Sequence, residues 1–372
     1  MDILLVSNIM KKLILVVLIS GGSMAACTQW FDPRVDAPGN VLVVEGLLTD
    51  GPSPYFVKLS LTAAYGQDRT YEAVEQASVL VRNQHKETIV FNETTPGLYI
   101  SPDGFRGVAG DTYILYVETP DGESYRSAPQ TIASGPEVEQ VGGRFGVMEM
   151  PVENNRGEVS IEGVEGVSFF ADIRHHHDSF PRMRFETQLY LQYLLQEADP
   201  PDPSNPLYMY CQRKLALDRK VNVALPSLEQ VSGSALRHEL AFMPQTIRFF
   251  PGMEDWVLRH VDRRAVVLRQ FSLNEESYVF YRTLHDQMSA EGRIFDPVAA
   301  QIQGNILCLS TPGKLVMGHF EASALRSSTH VLNPEPVTAN RLDIRPSSDL
   351  DHLPMESHCF LERRPETWII TW

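Results

Sequence analysis

Residues 112–127 read TYILYVETPDGESYRS, and this stretch decides the fold. Tyr113–Thr119 is a strand-forming run rich in aromatic and branched residues. It faces Ser124–Ser127 across Pro120-Asp121-Gly122, a hairpin turn in which the glycine supplies the positive φ that other residues resist. A second Pro-Asp-Gly occupies 102–104. Working outward, Tyr55–Leu61 alternates: Tyr55, Val57, Leu59 and Leu61 on one face, Phe56, Lys58 and Ser60 on the other. Val41–Leu48 is a mostly apolar run suited to a buried strand. Ser78–Arg82, Thr88–Phe91 and Leu98–Ile100 are further short strands. Six or seven strands within about 90 residues, punctuated by turns, predict a β-sandwich over 41–134.

Beyond a soft boundary at Ala133–Gly135, the pattern returns. Val167, Phe169, Ala171 and Ile173 point one way in one strand, and Phe185, Thr187, Leu189, Leu191 and Tyr193 in another. The segment 135–372 therefore reads as a second β-rich region, divisible into two subdomains. Pro200, Pro201, Pro203 and Pro206 mark an exposed loop between strands, since proline removes ladder donors. One helix is expected, over 273–291. Ser272 and Glu275 are read as its capping box and Gly292 as its C-terminal stop, with Tyr278, Tyr281, Leu284 and Met288 as a core-facing stripe and His285 at its edge. Further strands are expected over 301–309, 314–322 and 367–372. The fold class is mainly β with a single clear helix.

The N-terminus carries a different signal. Lys11 and Lys12 precede the apolar segment Leu13–Ser20, and the small residues through Ala26 lead to Cys27. A run of about eight apolar residues is too short to span a bilayer as a helix. It fits a secretory signal over 1–26, cut before a cysteine that carries lipid. Cys27 is thus the lipidation site, with outer-membrane lipid as the partner of its acyl chains, and 27–40 is a polar tether. An ordinary secretory signal followed by a plain thiol is the alternative. Thr28 in place of an aspartate gives no retention signal for an inner membrane, so the outer membrane is the expected location. Asp32 and Asp36 form a short acidic stretch of the kind that directs such proteins to the cell surface.

Composition narrows the function. The 372 residues are 43% hydrophobic and 21% charged, as in a folded globular protein, and the formal charge is −15. Removing Asp2, Lys11 and Lys12, together +1, takes the mature chain to −16. That balance opposes nucleic-acid binding, which needs a basic face. After Cys27 three cysteines remain: Cys211, Cys308 and Cys359. An odd number permits at most one internal disulfide. Cys308 with Cys359 is the expected pair because both lie in the C-terminal region, and three reduced buried thiols are the alternative.

Candidate chemistry is sparse. His175 and His177 share a face if they sit on a strand, near Asp172 and Asp178, and are candidate metal ligands. Consecutive histidines also occur in solvated strand ends, so no metal and no cofactor is assigned. His352, Glu356, His358 and Cys359 are a second cluster whose spacing fits no zinc pattern. His238-Glu239 opens like a zinc-protease helix, but Phe242 stands where the second histidine belongs. Ser232–Ser234 supplies no nucleophile elbow. There is no phosphate loop and no dinucleotide fingerprint. No catalytic residue is assigned, and an enzyme with scattered catalytic groups is the remaining possibility.

The stretch VLVVEGLLTDGPSPYFVKLS (41–60) resembles the start of a Bacteroidota lipoprotein family defined by a domain of unknown function, number 4249. The likeness continues through ASVLVRN (77–83) and TPGLYISPDGFRGVAGDTYILYVETPDGESYRS (95–127). It returns in FDPVAAQIQGNI (295–306) and VMGHFEASA (316–324). The resemblance implies secretion, lipid anchoring, an immunoglobulin-like N-terminal sandwich, and companionship with TonB-dependent outer-membrane barrels. It carries over no catalytic residue. Two readings of function follow. One is an accessory or binding protein on the outer membrane that assists nutrient capture by such a barrel. The other is a structural or adhesive surface module that binds glycan or protein through exposed aromatic rings.

Overall fold

The computed structural model describes residues 40–62, 71–153, 156–174, 181–197, 204, 208–216, 221–225, 235–244, 247–249, 256–289, 302–332, 344–346 and 357–360. The chain is mainly β with one helix among these residues. In chain order the first strands are β1 (Leu42–Thr49), β2 (Phe56–Leu61), β3 (Glu72–Ala73), β4 (Ser78–Asn83), β5 (Thr88–Thr95), β6 (Leu98–Ile100), β7 (Thr112–Glu118), β8 (Ser124–Ser127) and β9 (Gln130–Thr131). There follow β10 (Val138–Glu153), β11 (Val159–Arg174), β12 (Met183–Glu197), β13 (Tyr208–Ala216), β14 (Asn222–Val223), β15 (Ala235–Pro244), β16 (Ile247–Phe249) and β17 (Trp256–Ser272). The helix α1 (Glu275–Ser289) leads to β18 (Ile306–Cys308), β19 (Met317–Leu332), β20 (Ile344–Pro346) and β21 (Ser357–Phe360).

The hairpin forms as its turn residues dictate. Gly122 has φ of 83°, the Thr119 N–H donates to the Glu123 carbonyl at 2.9 Å, and Val117 of β7 lies opposite Tyr125 of β8. In β2, Val57 and Leu59 are buried while Phe56 and Lys58 are exposed, as the alternation requires. Ser60, expected outward, is buried as well.

These strands belong to one sheet, ordered β18-β8-β7-β4-β5-β6-β2-β1-β19-β17-β12-β13-β21. The sheet folds over within β5. Residues 88–91 pair with β4, and residues 92–95 pair with β6. The two layers close on a single apolar core: Val79, Val81, Leu115 and Val117 from one, Val44, Val57, Leu59 and Tyr99 from the other. The chain leaves this core near residue 133, but later strands return to it. Ile306 and Cys308 of β18 and Phe320, Ala322 and Ala324 of β19 are all members of the same core. Each fully buried aromatic or branched side chain contributes roughly 1.5–3 kcal/mol from apolar burial, so the later segment is structural cement for the first.

β19 is the seam. Its first half, through Ser323, runs parallel to β1, and its second half, from Ala324, runs antiparallel to β17. The sheet then continues through β12 and β13 into the second region. Close approach at the seam needs glycine. Gly318 has φ of +95°, and a Cβ there would stand 2.0 Å from the Val44 carbonyl oxygen.

The described residues form two further sheets: β10-β11-β15 and the pair β16-β20. β15 covers β11 only over residues 166–174. Beyond it the β10–β11 hairpin continues as a two-stranded arm on which Val147, Val159 and Ile161 are each about two-thirds exposed.

The helix begins later than the sequence pattern suggests. Ser272 is the last residue of β17, paired with Met183 and Ala324, and the Leu273 N–H still donates to the Arg182 carbonyl. Asn274 is the cap instead, its Oδ1 accepting the Ser277 N–H at 2.8 Å. Strand pairing and burial of Leu273 hold the chain extended for two more residues. Of the expected stripe, Tyr278 is buried and Tyr281 and Leu284 are partly covered, whereas Met288 is exposed at the far end.

Candidate functional site

A cleft of about 700 Å³ opens where β1, β12, β17, β19 and α1 meet. Glu45, Gly46 and Leu47 of β1 and the turn that follows with Pro52 and Pro54 form one wall. Phe280, Tyr281 and Leu284 of α1 form the other, and Arg184, Glu186, Arg269 and His319 project from the sheet.

The floor is an ion network, buried at Arg184 and Glu321 and half-buried at Glu186 and Arg269. Arg184 Nε donates to Glu321 Oε2 at 2.8 Å, and Arg184 Nη1 donates to Glu186 Oε1 at 2.9 Å. Arg269 Nη1 donates to the other oxygen of Glu186 at 2.8 Å. The remaining Glu321 oxygen accepts from the Ser323 hydroxyl. Glu321 has no exposed surface. The Arg184 guanidinium lies 3.7 Å from the Phe271 ring centroid and 5.0 Å from that of Tyr281, a cation held between two aromatic rings. Burial opposes its charge, but Glu321, Tyr281 and Glu186 more than offset this and hold Arg184 above its ordinary titration range. Lack of water, then the Glu321 carboxylate, pushes the Tyr281 hydroxyl up. Two arginines and two carboxylates balance, so the floor presents hydrogen-bonding groups without net charge.

His319 sits beside this network, 5% exposed and stacked on Phe280 with ring centroids 4.4 Å apart. Its tautomer follows from its partners. Gln130 Nε2 donates to Glu276, so Gln130 Oε1 is the acceptor for both Asn274 Nδ2 and the Ser277 hydroxyl. Ser277 has spent its one proton on Gln130 and must accept from His319 Nε2, 2.8 Å away. His319 therefore carries its proton on Nε2 and leaves Nδ1 as a buried acceptor with no partner among the described residues. Burial pushes its pKa down to about 4, Glu321 opposing and Arg184 adding to the effect. A serine–histidine contact of this length invites comparison with a nucleophile and its base. Here the hydrogen bond runs from histidine to serine, and Ser277 is fully buried; nucleophile activation requires the reverse.

The residues singled out from sequence fare differently. Cys27 with its signal segment, His175, His177, Asp178, Ser232–Ser234, His352, Glu356 and the expected strand over 367–372 lie outside the described residues. Asp172, proposed as their neighbour, is taken up by Arg237, whose Nε and Nη2 each donate to it at 2.7 Å. His238 lies on β15, half-buried, stacked on Phe185 and hydrogen-bonded through Nε2 to Asn222. Burial, with His285 adding, pushes it down to about 4. The expected Cys308–Cys359 bond is not formed: Cys308 is a free, buried thiol in the first core, near Ser310. Cys359 belongs to β21, in the second region.

Arg184, Glu321, His319 and Ser277 were not anticipated as site residues. The signal was present in GHFEAS at 318–323, where Phe320 and Ala322 alternate with His319, Glu321 and Ser323. Polar residues at alternate positions normally mark a solvent face, and here that face is covered.

A family model described as a domain of unknown function (DUF4249) matches residues 28–329, most of the chain and the segment that builds both the first core and the cleft. No curated protein and no solved structure matches it.

Proposed function

The chain belongs to the DUF4249 family, and from that premise we propose that it is a lipid-anchored accessory protein of the outer membrane, of the Bacteroidota lipoprotein type, that binds a small solute in the cleft and works beside a TonB-dependent barrel in nutrient capture. The cleft carries this reading. Its volume falls within the range of small-molecule sites, and its lining mixes apolar side chains with a few fixed polar groups. The charge balance of its floor favours a neutral or zwitterionic solute with an apolar face over a strongly charged one. Arg269, about a third exposed, and Glu186 are the polar groups within reach, and Phe280 and Tyr281 offer rings for stacking. The reading assigns no reaction to the cleft.

Attachment rests on Cys27 and its acyl chains, since a chain with this acidic balance gains nothing from anionic lipid. No described helix is long and apolar enough to cross a membrane. Two experiments test the proposal. Labelled fatty acid should be incorporated by the wild type and not by Cys27→Ala; absence of label in the wild type defeats the anchor. Calorimetric titration of the full chain with panels of sugars, amino acids and short peptides should find a solute whose binding is lost in Arg269→Ala. If no solute binds, the cleft reading fails.

A second reading, a surface module that docks protein, is favoured by the β10–β11 arm. A two-stranded ribbon with exposed Val147, Val159 and Ile161 is poorly stabilised on its own. Co-purification after mild detergent extraction separates the two readings: a TonB-dependent barrel recovered with the chain supports the first, and a different protein whose recovery is lost when these three residues are replaced by threonine supports the second.

A further inference from the structure

The register of the second region places two cysteines directly opposite one another on neighbouring strands. β21 pairs antiparallel with β13, and the Cα partners are Tyr210 with Phe360, Cys211 with Cys359, Gln212 with His358 and Arg213 with Ser357. Residues directly opposite in an antiparallel pair project to the same side of the sheet, with Cα atoms about 4.5 or 5.5 Å apart according to the ladder position. Disulfides span Cα separations of about 4.4–6.8 Å. Either ladder position therefore satisfies the bond's reach. The third thiol, Cys308, sits in the core of the first layer at the opposite end of the strand order.

We propose that Cys211 and Cys359 form a disulfide that fastens β21 to β13. β21 is four residues long and stands at the edge of the sheet among the described residues, with β13 as its one described strand neighbour. So short a strand at an edge has few ladder bonds to hold it, and a covalent link to its partner supplies what they lack. Closure proceeds by thiol–disulfide exchange. One thiolate attacks the disulfide of an oxidoreductase to give a mixed disulfide, and the second thiolate displaces the oxidoreductase sulfur. The two cysteines lose two protons and two electrons, one S–S bond forms, and the donor disulfide is reduced to a dithiol. Export supplies such a donor in the cell. The link between the two residues depends only on register, so an in vitro oxidant separates failure of the pairing from failure of the export reading.

The test is peptide mapping. The reduced full chain is exposed to oxidised glutathione, alkylated in denaturant and digested with trypsin without reductant. A linked species joining residues 185–213 to residues 342–363 is expected. It should disappear on reduction, while the peptide over 294–314 carries an alkylated Cys308. Reduction should also raise amide exchange at 357–360 and leave 79–81 unchanged. Alkylation of both Cys211 and Cys359, or a link from either one to Cys308, Cys27 or another chain, overturns the proposal.

Discussion

Acid should destabilise this protein well before its carboxylates titrate, and two histidines account for it. His319 and His238 are both pushed by burial to about 4 in the folded chain, against about 6.5 when unfolded. As pH falls the unfolded chain therefore takes up protons first. The stability these groups contribute is fully present above about 6.5 and is lost as pH falls toward 4. With those two values, each histidine removes about 2–3 kcal/mol between pH 7 and pH 4.5, and the pair about 5 kcal/mol. That is comparable to the whole stability of many domains, which is about 5–15 kcal/mol. Burial is the main cause at both sites; at His319 Glu321 opposes the shift and Arg184 adds to it, and at His238 His285 adds to it. Asp121 and Glu123 are held below the usual carboxylate range, first by the Thr119 hydroxyl and by Lys314 respectively, so what they contribute begins to be lost only at the acid end of this window and continues below it. The assay is urea unfolding at pH 7, 6, 5 and 4.5, followed by circular dichroism. His319→Gln and His238→Gln remove the titrations while keeping a polar side chain. Whatever each costs at pH 7, each should flatten the pH dependence substantially, and the double variant should remove most of it, the remainder including His330, which burial also lowers. An undiminished fall of about 5 kcal/mol in the double variant would refute the reasoning.

Four other substitutions probe the seam, an exposed ion pair and the helix start. Glu321→Ala leaves Arg184 charged, buried and short of its main partner, and should lower stability by about 3–5 kcal/mol in denaturant unfolding; Glu45→Ala, whose ion pair with Lys58 is solvent-exposed, should change it by less than about 1 kcal/mol. Gly318→Ala places a methyl against the Val44 carbonyl at a positive φ, and should cost more than about 1 kcal/mol and shift the unfolding midpoint accordingly. Asn274→Ala removes the cap on Ser277 and its bond to Gln130, a loss of about 1 kcal/mol or somewhat more, detectable as a lower thermal midpoint with native circular dichroism.

The short strands of the first layer were legible because their cues are local. Pro-Asp-Gly turns, the alternation of Val57 and Leu59 with Phe56 and Lys58, and the short apolar runs each specify a strand within a few residues. The helix was legible in type and displaced at its start, because Ser272 satisfies the capping pattern but is claimed by β17 and its pairs Met183 and Ala324. Nearness in sequence, which favours pairing Cys308 with Cys359, does not decide which strands meet. Cys308 is instead drawn into the first core by the apolar strand that carries it, alongside Tyr125 of β8.

The cleft was illegible for a related reason. Whether a polar residue on an alternating strand faces water or a buried network depends on what lies across from it, and those partners are far away in the chain. Glu321 finds Arg184 across 137 positions, and Ser277 finds Gln130 across 147. One face of β19 fills the first core with Phe320, Ala322 and Ala324, while its other face carries His319, Glu321 and Ser323 into the network. Anything that loosens one face of this strand disturbs the other. Solute binding in the cleft should therefore protect the amides of β1 and of the first half of β19 from exchange, and leave those of the distant hairpin of β7 and β8 unchanged. Protection confined to α1, with β1 and β19 unaffected, would mean that the seam does not couple the cleft to the first core.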